Sequence, residues 1–237
     1  MGFFSKKKKA KLKAIEECVT GIKIWTDGSC FPNPDGEGGW SFVIRADDLC
    51  VVRSGYIPEP CTNNRAELLG AIAALKQLDK NTLLYKPVTL YTDSQYVQKG
   101  ITQWISGWIS RGWRNVQGQP TPNKKLWQLL LDAKSGIKVQ FKHVRGHTGE
   151  PMNELCDWLA NAARENKVGV VYQGCFADLD DSLRDVMDKE GDGTMTTIAP
   201  DISEDDVMGK RSNRPKQKPV DWKKANNPFG DKDDDPF

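Results

Sequence analysis

Four carboxylates stand where the chain could use them for chemistry: Asp27, Glu67, Asp93 and Asp157. Asp27 closes the alternating run Ile22-Lys23-Ile24-Trp25-Thr26 and is followed by Gly28, so an acid is fixed where a strand stops and a turn begins. Asp93 ends a second strand-like run, Val88-Thr89-Leu90-Tyr91. Glu67 opens an Ala/Leu-rich helical stretch, and Asp157 lies inside the helix that follows Arg145-Gly146-His147-Thr148-Gly149. Acids held on rigid elements and left open to a ligand suit metal chemistry. Four of them converging would repel one another unless a hard divalent cation such as Mg²⁺ neutralised them.

The elements that must carry these acids can be read in order. After the strand ending at Asp27 comes a Pro/Gly-rich turn, a strand over residues 40–45, a turn at Asp47-Asp48 and a third strand over 49–56, which is a three-stranded meander. Leu68, Leu69, Ile72, Leu75 and Leu78 then repeat at helical spacing. A helix at this point lets the strand beginning at Pro87 return in parallel. A second helix begins at Ser94 and runs through Ile101 and Trp104, a third covers 126–131, the last strand 137–144 and the last helix 152–165. The order βββαβααβα predicts one α/β domain with a five-stranded mixed sheet, antiparallel at first and then parallel. Trp104, Trp108 and Trp113 lie among Arg111, Arg114, Lys124 and Lys125, a mixture that suits either a nucleic-acid groove or the packing of a helical hairpin.

The chain has 237 residues and a net charge of +2, which conceals a strong asymmetry. Lys6 to Lys9, Lys11 and Lys13 make residues 1–20 a basic tail, which fits either a solvated segment or one that follows a phosphate backbone. Past Lys167 the composition turns acidic and poor in apolar groups, so residues 175–237 are expected to be a disordered extension. Within it, Asp188-Lys189-Glu190-Gly191-Asp192-Gly193-Thr194 has the front of a calcium loop, yet Ala199 stands where the bidentate Glu belongs, which favours a solvated linker. Six cysteines without regular spacing read as reduced thiols of a cytoplasmic protein. No apolar run could span a bilayer, and the lysines are not followed by the apolar core of a signal peptide, so no membrane role is expected.

Taken together, Thr26-Asp27-Gly28-Ser29-Cys30, Thr62-Asn63-Asn64-Arg65-Ala66-Glu67, Thr92-Asp93-Ser94-Gln95-Tyr96-Val97, Gly100-Ile101-Thr102-Gln103-Trp104-Ile105 and Gly146-His147-Thr148-Gly149 with Asn153-Glu154 and Cys156-Asp157 resemble ribonuclease H type 1 in its bacterial form. The resemblance covers residues 21–174 and implies the ribonuclease H-like fold for that domain. It implies an endonuclease that cuts the RNA strand of RNA–DNA hybrids with two Mg²⁺ ions, Mn²⁺ being able to substitute, and leaves 5′-phosphate and 3′-hydroxyl ends. By the same resemblance Asp27 bridges both ions, Asp93 completes the site of the attacking water, Glu67 and Asp157 that of the leaving oxygen, and His147 assists proton transfer or product departure. Cys30, Asn33, Asn63, Asn64 and Gln95 match positions that contact RNA 2′-hydroxyls, and Arg45, Thr62 and Asn123 are matched to a phosphate pocket for the DNA strand, with Trp104 also on the substrate side. A monomer is implied. His143, by contrast, reads as packing or decoration of a sheet edge.

Two departures from the family pattern stand out. Ile109 and Ser110 follow Trp108 where the bacterial enzymes are strongly basic, which predicts weaker hybrid binding by that element and a compensating role for the N-terminal lysines. At the other end, Asp233-Asp234-Asp235-Pro236-Phe237 resembles the acidic tip with which bacterial single-stranded-DNA-binding proteins recruit replication and repair enzymes, or else is a solubilising tail.

Overall fold

The computed structural model describes residues 21–58, 60–78, 86–176, 179 and 195–198. The N-terminal lysines, the calcium-loop-like segment and the Asp-Pro-Phe ending lie outside these residues.

β1 (Ile22–Phe31), β2 (Glu37–Ala46) and β3 (Leu49–Ile57) form the expected meander. Asp47, at a φ of 50°, supplies the left-handed residue of the two-residue loop between β2 and β3. α1 (Asn63–Lys76) follows, and then β4 (Val88–Thr92) lies parallel to β1. The next stretch is helical in three pieces: α2 (Gln95–Lys99), a π turn (Gly100–Trp104) and α3 (Ile105–Ser110). α4 (Lys124–Lys134) leads to β5 (Val139–His143), parallel to β4, and α5 (Pro151–Asn166) returns across the sheet.

The sheet is wider than the expected five strands. β6 (Gly169–Cys175) pairs antiparallel with β3, and β7 (Met195–Ile198) pairs with β6, so the order is β5-β4-β1-β2-β3-β6-β7. β7 therefore puts a paired strand inside the segment expected to lack structure. β6 belongs to the domain because Val170 and Tyr172 are buried against the sheet's own core, and burial of two such side chains supplies the driving force that composition alone concealed.

Two apolar layers flank the sheet. On one face Ile22, Ile24, Phe42, Ile44 and Leu90 pack with Leu68, Ile72 and Leu75 of α1 and with Trp127 and Leu130 of α4. On the other, Trp25, Val43, Val52 and Tyr172 meet Leu155 and Leu159 of α5. These alternating faces follow from the two-residue period of the strands. Gly28 marks the closest approach: a Cβ there would lie 2.2 Å from the Glu67 amide nitrogen, so only a bare backbone lets the end of β1 meet the start of α1. The helix starts are capped. Thr62 Oγ1 accepts from the Arg65 amide at 3.2 Å, and Glu150 Oε2 accepts from the Met152 and Asn153 amides at 3.0 Å ahead of Pro151. The five cysteines among the described residues are free thiols, Cys30, Cys50, Cys61 and Cys156 buried and Cys175 exposed. Among the described residues no helix is long and apolar enough to cross a membrane.

Candidate active site

The register of the central strands brings the acids together. Thr26 of β1 pairs with Thr92 of β4, so the residues that follow, Asp27 and Asp93, emerge side by side at the same end of the sheet. The Gly28 contact adds Glu67 from the first turns of α1. Asp27, Glu67 and Asp93 each offer an oxygen, and these three atoms all lie within 4.8 Å of one another. Asp27 and Glu67 are buried, Asp93 half-buried.

Burial raises the pKa of Asp27 well above its ordinary value, and the charges of Asp93 and Asp157 raise it further, against a lowering by the Gly28 amide, which donates to Oδ1 at 2.6 Å. Glu67 is pushed up in the same way, by burial first and then by Asp27, Asp93 and Asp157. Its Oε2 is buried without a hydrogen-bond partner among the described residues. An oxygen acceptor left bare next to two other carboxylates is the feature a hard, oxygen-seeking cation would satisfy. Asp93 is steadied by the Asn153 amide at 3.2 Å.

Asp157, on α5, acts on the trio electrostatically but falls outside it. Its pKa is raised by burial, against lowering by His147, Asn161 and Arg164. His147 sits 82% exposed in the loop before α5, at a φ of 52°, with Nδ1 3.9 Å from Asp157 Oδ2. A family model for RNase H matches residues 20–165, well over half of the chain and the whole of this site.

The chain belongs to the RNase H family. It is 48% identical over 143 residues to the ribonuclease H of Granulibacter bethesdensis, a match that covers 60% of this chain and 91% of that one. It is 49% identical over 144 residues to the ribonuclease H of Acidiphilium cryptum, with 61% and 86% covered. Among solved structures it is similar to LC9-RNase H1, a type 1 RNase H with the type 2 active-site motif, at 30% identity and a TM-score of 0.55 over 62% of this chain and 74% of that one. The foamy viral protease-reverse transcriptase in complex with RNA/DNA hybrid shares the fold, at 23% identity and a TM-score of 0.52 over 64% of this chain and 20% of that one. These matches make the chain an RNase H enzyme, and its acids a site compatible with divalent metal.

Most of the residues that the RNase H resemblance singled out as substrate contacts gather at the acid end of the sheet. Asn33 Oδ1 accepts from the Asn63 amide at 3.2 Å, which ties the β1–β2 turn to the start of α1, where Asn63 and Asn64 are exposed. Thr62 caps that helix. Cys30 is buried, its thiol donating to the Pro32 carbonyl at 3.3 Å, and so presents backbone rather than sulfur. Gln95 opens α2 two residues past Asp93, exposed, with Oε1 accepting from Lys99 Nζ at 2.7 Å. Asn123 adopts a φ of 56° and donates to the Tyr96 hydroxyl at 3.2 Å.

Arg45 does not join them. It pairs with Lys23, four residues back along β1 from Asp27, a distance of roughly 13 Å, and its guanidinium lies 3.4 Å from the Phe176 ring centroid. The tryptophans divide. Trp104 is 38% exposed, while Trp108 packs tilted between it and the fully buried Trp127 at centroid distances of 5.9 and 5.3 Å, so packing accounts for Trp108. A Cβ on Gly100 would lie 2.1 Å from Trp127, and the π turn begins at that glycine. Two of the nearby cations are turned inward on their own loop: Arg111 Nε donates to the Arg114 carbonyl and Arg114 Nη1 to that of Gly118. His143 is exposed on the edge strand β5, with Nε2 3.0 Å from the Asp93 carbonyl.

Asn161 and Arg164 lie outside every motif quoted above, and Ser29, inside the Thr26–Cys30 motif, was given no role there. Their hydrogen bonds converge on Asp157, and the only signal was the spacing of Asp157, Asn161 and Arg164 at one helical face.

Proposed function

We propose that the chain is a type 1 enzyme of the bacterial kind that hydrolyses the RNA strand of RNA–DNA hybrids at the Asp27–Glu67–Asp93 cluster, giving 5′-phosphate and 3′-hydroxyl ends. The observation that carries the reading is the trio of buried and half-buried carboxylates with a bare Glu67 oxygen, an all-oxygen donor set suited to Mg²⁺. Asp27, Glu67 and Asp93, with Asp157 at the margin, would hold two such ions, which when bound neutralise the charge of the phosphodiester and of the departing oxygen.

The chain's own residues do the rest. Asn63 and Asn64 present amides beside Glu67, and Gln95 presents one beside Asp93, where both the donor and the acceptor character of a 2′-hydroxyl can be met. That contact gives the RNA strand its selectivity. His147, exposed and within reach of Asp157, exchanges protons with the departing product; His147→Ala lowers kcat by roughly 10²-fold with KM little changed, and an unaltered kcat would remove it from the reaction. Primers and R-loops are the natural sources of such a substrate, and the acidic Asp-Pro-Phe ending would serve to recruit replication or repair proteins; deleting Pro236 and Phe237 without effect on binding to any of them would end that part of the reading.

The test is Mg²⁺-dependent cleavage of matched RNA–DNA hybrid, RNA duplex and DNA duplex. Cutting confined to the RNA of the hybrid is expected. Equal cutting of the DNA duplex would move the chain to the DNA nucleases that share this fold.

A further inference from the structure

Asp157 is held differently from the other three acids. Its Oδ1 accepts from Asn161 Nδ2 at 2.8 Å, and the same amide nitrogen lies 3.0 Å from the Asp157 carbonyl, one turn back on α5. Asn161 Oδ1 in turn accepts from the Ser29 hydroxyl at 2.7 Å, across the gap to β1. Ser29 Oγ accepts from Arg164 Nη1 at 2.6 Å. Arg164 is only 17% exposed, is paired through Nη2 with Glu165 at 2.8 Å, and lies 5.7 Å from the centre of the Phe31 ring.

The chemistry of the four groups sets the direction of this chain of bonds. A guanidinium can only donate, so Ser29 must accept from it and has one hydrogen left to give. That hydrogen goes to the Asn161 carbonyl oxygen, which leaves the Asn161 NH₂ aimed at Asp157. The orientation of the amide, ordinarily interchangeable between its oxygen and nitrogen, is set by Asp157, whose carboxylate and carbonyl can only accept, and is matched by Ser29, which holds Arg164 on a lone pair and gives its hydrogen to the amide oxygen.

We propose that Asn161, held in place by Ser29 and Arg164, is a positioning residue that fixes the Asp157 carboxylate through Oδ1 and leaves Oδ2 as its single oxygen for a divalent cation. The inference rests on the reading that these acids hold a cation. Groups that orient metal ligands in this way are worth roughly 10–100-fold in metal affinity or activity.

The experiment compares the full chain with Asn161→Ala, Ser29→Ala, Arg164→Gln and the double variant Asn161→Ala/Ser29→Ala. Mg²⁺ and Mn²⁺ binding is measured by titration calorimetry without nucleic acid, and kcat and KM separately on hybrid. For Asn161→Ala the expected result is a cation dissociation constant and a kcat each worse by about tenfold or more, with KM unchanged. Ser29→Ala and Arg164→Gln shift both in the same direction by about threefold, the size of one neutral hydrogen bond, because each acts only through the Asn161 amide, and Arg164→Lys restores part of the loss. The double variant is no worse than Asn161→Ala alone, because both changes act through one amide.

Wild-type cation affinity in Asn161→Ala would overturn the proposal, as would additive losses in the double variant, which would make Ser29 and Asn161 independent structural contacts. A wild-type chain that binds neither cation would overturn it together with the reading it rests on. Weakened cation binding in Asn161→Ala in a chain that cuts no hybrid would support the positioning role while refuting the substrate reading.

Discussion

Glu67 is a residue placed against its own interest: buried, beside Asp27 and Asp93, and with Oε2 bare of partners among the described residues. Removing its charge should therefore separate stability from activity. Glu67→Gln is expected to raise the melting temperature of the cation-free protein by a few degrees, at about 2–4 °C per kcal/mol for a domain of this size, while lowering cleavage on the order of 10³-fold. The same strain gives stability a pH dependence of definite sign. Asp27 and Glu67 have pKa values raised above their ordinary 3.8 and 4.5, so above those values the folded chain retains protons that the unfolded chain has released. Stability of the cation-free protein then falls as pH rises from about 4 through the raised values, and added Mg²⁺ reverses the loss on the high side. Thermal unfolding at several pH values, with and without Mg²⁺, checks both; a melting temperature that climbs steadily with pH and ignores Mg²⁺ would contradict the picture. Asp27, Glu67 and Asp93 were legible in the sequence because each sits at a strand end or near a helix start, and Asp157, inside α5, because it follows the glycine-flanked His147 loop. Asn161 was not, and neither was the bond from Ser29 to it, since a single Asn inside a helix and a Ser after a glycine carry no local mark of what lies across from them.

At the scale of elements, the site depends on β1 and α1 meeting without side chains between them. Gly28→Ala would press a methyl into the Glu67 amide and the Ala66 carbonyl carbon, at 2.2 and 2.3 Å, with no flexible neighbour able to yield. A loss of about 1–3 kcal/mol is expected, with cleavage falling further than stability because Asp27 and Glu67 are pushed apart. Denaturant unfolding and kcat together check this, and a variant as stable and active as the wild type would show that the approach is looser than described. The meander, the parallel return of β4 and β5 and the closing helix could all be read from period and punctuation. β6 could not, because Val170-Val171-Tyr172 is short, bounded by Gly169 and close to Gly174, and borders a run of aspartates that dominates any composition window. Its strand character comes from pairing with β3, far away in sequence. The π turn at Gly100–Trp104 was likewise invisible, since it exists to seat Gly100 on the Trp127 ring.

Across the whole molecule, charge is unevenly divided, with six lysines in the first thirteen residues and an acidic stretch past Lys167. The helical stretch after Trp104 offers fewer free cations than its sequence suggests, as Arg111 and Arg114 bond to carbonyls of their own loop. A chain beginning at Glu16 should then bind hybrid more weakly and with a shallower salt dependence, by roughly 0.9 in the log–log slope for each phosphate that the lysines no longer neutralise. An unchanged slope would take the lysines out of substrate binding. The acid cluster is tested by cleavage of a labelled RNA–DNA hybrid in Mg²⁺ by the wild-type chain and by Asp93→Asn. The wild type is expected to cut the RNA strand and the variant to cut nothing, while both bind the hybrid. Undiminished cutting by Asp93→Asn, or binding without cutting by the wild type, would contradict the role of the acid cluster in cleavage.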